Sequence, residues 1–126
     1  MPAEQFKDLS RLCVHTITTK PWSIEEAADK FSAAGVSGIT VWRDAMEGRD
    51  PIEVGKMLRD KGLEIVSLCR GGFFPHLNES DRRHAIDENK VIIDEAAALG
   101  APLVVLVCGA DPGQPLEESR KQIVDG

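Results

Sequence analysis

The sequence predicts an α/β fold of four consecutive strand–helix units with parallel strands, the N-terminal half of a (β/α)8 or TIM barrel, as a single domain over residues 1–126. Three observations carry this. Short apolar runs alternate with longer stretches of helical period, and no hairpin signal separates the runs, so the strands pair in parallel through right-handed crossovers. In the first three strands one parity is aliphatic (Leu12 and Val14, Ile39 and Val41, Val66 and Leu68). The other is small, polar or aromatic (Cys13 and His15, Thr40 and Trp42, Ser67 and Cys69). A doubly wound sheet buries both parities under helices, whereas a barrel turns one parity toward a lumen that accepts polar groups.

The first strand is expected at about Leu12 to Ile17, followed by Ser23 as a helix cap with Glu26 as its capping-box partner. Ile24, Ala27, Ala28 and Phe31 then fall on one helical stripe, and Gly35 stops the helix. The second strand, about Gly38 to Trp42, leads to Asp50 as cap, Pro51 at the first helical position and Glu53 as box partner, with Gly62 at the end. Strand three is expected at Glu64 to Cys69, and the third helix from near Ser80 to Leu99, where Gly100 closes it. Strand four, Leu103 to Val107, is almost wholly apolar and does not discriminate between architectures. The last helix begins near Leu116, with Leu116, Ser119, Arg120 and Ile123 on one face.

Composition narrows the function classes. A chain of 126 residues with 42% hydrophobic content can bury one core. Its net charge of -6 comes from interspersed acids and bases, which argues against nucleic acid as a partner. No apolar run approaches the roughly 20 residues that cross a bilayer, and the first twenty residues lack the pattern of a secretory leader. Cys13, Cys69 and Cys108 form no CxxC spacing, so neither a disulfide framework nor a zinc ribbon is expected, and a cytoplasmic location fits.

The stretch from His84 through Ala-Ile-Asp-Glu-Asn-Lys-Val-Ile-Ile-Asp-Glu-Ala-Ala-Ala-Leu-Gly-Ala-Pro-Leu-Val-Val-Leu to Val107 resembles the third helix and fourth strand of the xylose isomerase-like barrels, the sugar phosphate isomerase/epimerase superfamily. Leu12-Cys-Val-His-Thr, Gly38-Ile-Thr-Val-Trp and Arg70-Gly-Gly-Phe-Phe-Pro75 are similar to the family's first three strand ends. The resemblance covers nearly the whole chain but half of the family's barrel. It implies aldose–ketose isomerisation or epimerisation of a sugar or sugar phosphate at a divalent metal (magnesium, manganese, zinc or cobalt) held by two Glu, an Asp and a His on the later strands. None of those four ligands is matched in this sequence, so no metal-binding residue is assigned and the chain alone is expected to be inactive. A half-barrel exposes two parallel edge strands, so either the polypeptide continues beyond Gly126 or copies associate, and a homo-oligomer is expected.

The residues expected to face a substrate stand after the strands, where barrels of this kind build their sites. His15 can hydrogen-bond a hydroxyl or carbonyl, or simply be a satisfied strand-end histidine. Trp42 can stack on a sugar ring or pack in a core, and Arg43 can pair with a phosphate or carboxylate or stay solvated. The segment Arg70, Gly71, Gly72, Phe73, Phe74, Pro75, His76 reads as a connection whose adjacent aromatics form either a wall over the substrate or a plug, with His76 in reach and His84 at the surface. Asp111 is expected to make a turn hydrogen bond. Against the enzyme stands one other class, a non-catalytic small-molecule binding or assembly module with an open flavodoxin-like sheet.

Overall fold

The computed structural model describes residues 7–126; the first six, part of the leader and domain readings, lie outside the described residues. Four parallel strands, β1 (Cys13–His15), β2 (Gly38–Trp42), β3 (Glu64–Gly72) and β4 (Val104–Val107), alternate with four helices, α1 (Ile24–Ala33), α2 (Pro51–Asp60), α3 (Glu79–Leu99) and α4 (Leu116–Asp125). The sheet runs in the order β1-β2-β3-β4. A flavodoxin-like sheet would place β1 between β2 and β3, so the sequential order is that of a barrel wall. No helix among the described residues is long and apolar enough to cross a membrane.

Local chemistry sets the helix ends. Ser23 accepts from the Glu26 amide and Asp50 from the Ile52 amide, each satisfying an orphan N–H of a first turn. The third helix starts one residue before the expected position, because Asn78 accepts from the Ser80 amide and caps it. Its C-terminus closes on Gly100 at φ 86, and Arg59 donates to the Leu99 carbonyl at 3.1 Å. Gly55 of α2 lies against that same carbonyl, and a Cβ there would strike it. This glycine permits α2 and α3 to approach closely.

The core lies between the sheet and the helices on one side of it. Ile24, Ala27, Ala28 and Phe31, the stripe expected for α1, join Val54 and Leu58 of α2 and Ile92, Ala96 and Leu99 of α3 against Ile39, Val41, Ile65 and Leu68 of the strands. On the opposite parity a polar row crosses the sheet: Cys13 Sγ lies 3.3 Å from Thr40 Oγ1, which lies 2.8 Å from Ser67 Oγ.

Four expectations are corrected. The first strand is shorter, since Thr16–Thr19 form a 3-10 turn in which Thr16 Oγ1 accepts from the Trp42 amide at 2.9 Å. Val66 does not share a face with Leu68; a bulge opposite Ile39 and Thr40 pairs Ile65 and then Ser67 with them, so Ile65 takes the core position. The third strand continues three residues past Cys69, because β4 pairs Gly71 with Leu106 and Gly72 with Val107. On α4 only Ser119 is buried, while Leu116 and Arg120 are exposed. That flank, with Leu103 at 61% exposure, Leu106 at 53% and Val124 at 86%, is where the next strand–helix unit of a barrel packs.

Candidate functional site

The C-terminal ends of β2 and β3 and the first half of α3 border an open cavity of about 510 Å3. Ile17, Lys20, Trp42, Arg43, Asp44, the run Cys69 to Phe73, His76, His84, Glu88 and Asn89 are among its walls. Barrel enzymes place their sites at this end of the strands.

Each candidate residue is positioned by a local device. Trp42 closes β2 and its indole N–H donates to His15 Nδ1 at 3.0 Å. A neutral His15 that accepts at Nδ1 carries its proton on Nε2, which is then a donor. His15 itself does not line the cavity; it braces a residue that does. Arg43 turns toward α3, where its guanidinium forks onto Glu95 at 2.7 and 2.8 Å and reaches Glu88 at 3.1 Å. Those hydrogen bonds, chiefly to Glu95, hold the guanidinium further above its already high range.

The end of β3 is irregular in a directed way. The ladder passes from Cys69 opposite Val105 to Gly71 opposite Leu106, so Arg70 is the extra residue of a bulge. Bulges re-aim a side chain at a sheet end. Arg70 projects between two rings, its Cζ 4.6 Å from the Phe73 centroid and 5.8 Å from that of Trp42. Asn89 of α3 reaches across to β3, accepting from Gly72 N at 2.7 Å and donating to Gly72 O at 2.9 Å and Ala85 O at 2.8 Å. At Gly71 a Cβ would come within 2.6 Å of Asn89 Oδ1, so this glycine admits the side chain, while at Gly72, φ 102, a Cβ would strike the Val107 carbonyl.

Phe73 follows at φ 55, a left-handed backbone that costs a bulky residue on the order of 1–3 kcal/mol. Such a conformation persists only where its surroundings over-determine it. Here the Phe73 amide donates to Val107 O at 2.8 Å and the Asn89 clamp fixes the residue before it. Its ring stays 40% exposed, whereas Phe74 turns away, 7% exposed, against the end of α4 at Gly126. Of the two adjacent aromatics, one therefore lines the cavity and the other packs elsewhere.

His76 Nε2 sits 3.1 Å from Phe73 O, and its amide donates to Gln122 Oε1 at 3.0 Å. Asp111 makes the expected turn bond, accepting from Gly113 N at 2.9 Å, and also accepts from Leu77 N at 3.0 Å. These two amides hold its carboxyl below the usual carboxylate range. Cys69, buried beside Arg70, has its thiol pushed up by desolvation. The cavity thus joins Trp42, Arg43, Arg70, Phe73 and His76, keeps His15 one hydrogen bond behind, and leaves Phe74 out.

Asn89 was not among the residues the sequence singled out. Its signal was present: Ala85, Asn89, Ile92, Ala96 and Leu99 are the buried positions of α3, and an amide on an apolar stripe needs partners. Lys20, which pairs with Asp44 at 2.8 Å, had no comparable signal.

The chain matches the family described as xylose isomerase-like TIM barrel over residues 24–126. It is similar to the solved structure of protein SMc04130 from Sinorhizobium meliloti 1021, with 35% identity, a TM-score of 0.85, and coverage of 94% of this chain and 44% of that one. A xylose isomerase domain containing protein from Salmonella typhimurium LT2 shares the fold at 19% identity and TM-score 0.72, over 95% of this chain and 45% of its own. A fusion of a xylose isomerase-like TIM barrel with 4-hydroxyphenylpyruvate dioxygenase does so at 17% identity and TM-score 0.74, over 87% and 18%. No curated protein matches the chain. The chain spans less than half the length of these solved structures. Strand order, the one-sided helical core and the family match agree: the chain belongs to the xylose isomerase-like TIM barrel family and forms four of its strand–helix units.

Proposed function

We propose that this chain is the N-terminal half of the barrel of a cytoplasmic, homo-oligomeric isomerase or epimerase that interconverts aldoses and ketoses, or epimers, of a sugar or sugar phosphate with a divalent metal. The observation that carries this reading is the cavity of about 510 Å3 at the C-terminal ends of β2 and β3, in a chain of this family. A volume of that order suits a small polar molecule. The described residues do not fit the metal itself, since no three His, Cys, Asp or Glu side chains among them converge. The share of the chemistry assigned to them is binding and orientation.

In that role Trp42 offers an apolar face to the sugar ring, and its own N–H is already taken by His15. His15, one hydrogen bond behind the cavity wall, fixes the orientation of that indole. Phe73 forms an apolar wall and His76 stands beside it. The sequential sheet order removes the support for an open flavodoxin-like module.

Aldose–ketose interconversion is to be followed by NMR on the protein purified from its native source, with magnesium, manganese, zinc or cobalt added and then with EDTA. Turnover that EDTA abolishes is the expected result; no interconversion of any pentose, hexose or phosphorylated sugar overturns the reading. His15→Ala is expected to lower kcat roughly 10²-fold with an unchanged circular dichroism spectrum. Unaltered kinetics would remove His15 from the site.

A further inference from the structure

The geometry points to Arg70 as an anion-docking residue: the ligand of the cavity carries a carboxylate or phosphate that lies on this guanidinium between Trp42 and Phe73. The inference rests on the reading of the cavity as a small-molecule site and adds the charge of what enters it.

The charges around the cavity decide which cation is available. Arg43 lines it, but its fork is occupied by Glu95 and Glu88. Lys20 lines it, and Asp44 holds its ammonium at 2.8 Å. Arg70 has no ion-pair partner among the described residues, and its neighbours within reach are two aromatic faces. Those faces attract a cation and limit its rotamers, yet they accept none of the N–H groups in the guanidinium plane. A planar fork held in place with its donors unspent is the arrangement that recognises carboxylate or phosphate oxygens in a bidentate manner. A neutral sugar would leave it without a counter-charge.

The backbone around Arg70 is organised for this placement. The bulge frees it from pairing with β4, and the Asn89 clamp on Gly72 keeps Phe73 left-handed with its ring against the guanidinium. An arginine that merely keeps a surface solvated needs no such support.

The test uses the protein expressed as it occurs in its native source. Ribose, ribose 5-phosphate, ribonate and inorganic phosphate are titrated into it by isothermal titration calorimetry. At least one anionic sugar is expected to bind tenfold or more tightly than ribose, and which of the two binds tighter identifies phosphate or carboxylate. Arg70→Met is expected to bring the anionic sugars to the affinity of ribose, and Arg70→Lys to recover part of the preference through charge without the fork. Equal binding of ribose and its anionic derivatives, or a preference that survives Arg70→Met, overturns the inference while leaving the sugar reading intact. A response to inorganic phosphate that needs Arg70, with none to any sugar, upholds the anion site and overturns the sugar reading. No response to any of the four probes overturns both.

Discussion

On the helix-packed side of the sheet, Ile39, Val41, Ile65 and Leu68 meet α1, α2 and α3 in a layer where no side chain of the four is more than 6% exposed. At the C-terminal ends the same strands deliver Trp42, Arg43, Arg70 and Phe73, all partly exposed and fixed by hydrogen bonds, ion pairs and ring contacts. The packed side is stabilised by non-directional burial, which tolerates repacking so long as volume is kept. The strand ends are held by directional bonds that fix orientation and contribute little to the total stability. The difference assigns stability to one region and recognition to the other, and substitutions can separate the two.

The largest expected effect falls on the packed side. Leu58 is 0% exposed in the middle of the core, and Leu58→Ala is expected to lower unfolding free energy by about 2–5 kcal/mol, read from urea denaturation. A loss below about 1 kcal/mol would mean that this layer collapses around the cavity, and the contrast between the two regions would weaken. Asn89 sits at the boundary, buried on α3 yet spending its amide on the backbone of β3. Asn89→Ala strands the Gly72 N–H and C=O and is expected to cost about 1–3 kcal/mol. It is also expected to speed amide exchange at Phe73 relative to Leu68, whose amide bonds Leu103 within the sheet. Equal acceleration at both sites would show a structural role without a share in holding the strand end.

The contrast also explains what was legible in the sequence. Helix caps and apolar stripes are local chemistry, so Ser23, Asp50 and the Ile24 to Phe31 stripe stand where the pattern placed them. The end of β3 was not legible, because Arg70-Gly-Gly has no strand preference of its own; pairing with Val107 and the Asn89 amide 17 residues away make it a strand. The bulge at Val66 likewise follows from the pairing of β3 with β2 and leaves no trace in the alternation of Glu64 to Cys69. The face expected on α4 failed for a third reason: a stripe is buried only where a neighbour covers it, and β4 and α4 form the flank of the sheet. At the site, residue types were legible and partners were not. Arg43 was expected to pair with a phosphate or carboxylate or to stay solvated, and only the fold brings Glu88 and Glu95 to it.

Arg43 and Arg70 give the smallest and sharpest comparison. Arg43 is partly buried, its side chain 31% exposed, and it holds two glutamates of α3 that would otherwise repel one another. Arg43→Met is expected to cost about 1 kcal/mol, discounted for solvent screening of a half-open network. That loss should shrink in molar salt as the glutamates are screened. Arg70 lies against ring faces, has no ion-pair partner among the described residues and is exposed, so Arg70→Met is expected to change stability by less than about 0.5 kcal/mol. Methionine keeps the unbranched apolar stem against both rings, so only the charge and the fork are removed. If Arg70→Met instead destabilised the chain as much as Arg43→Met, the stacking would be a structural brace. A near-zero change, set beside a loss of anionic-ligand binding, would place Arg70 among residues held for a ligand.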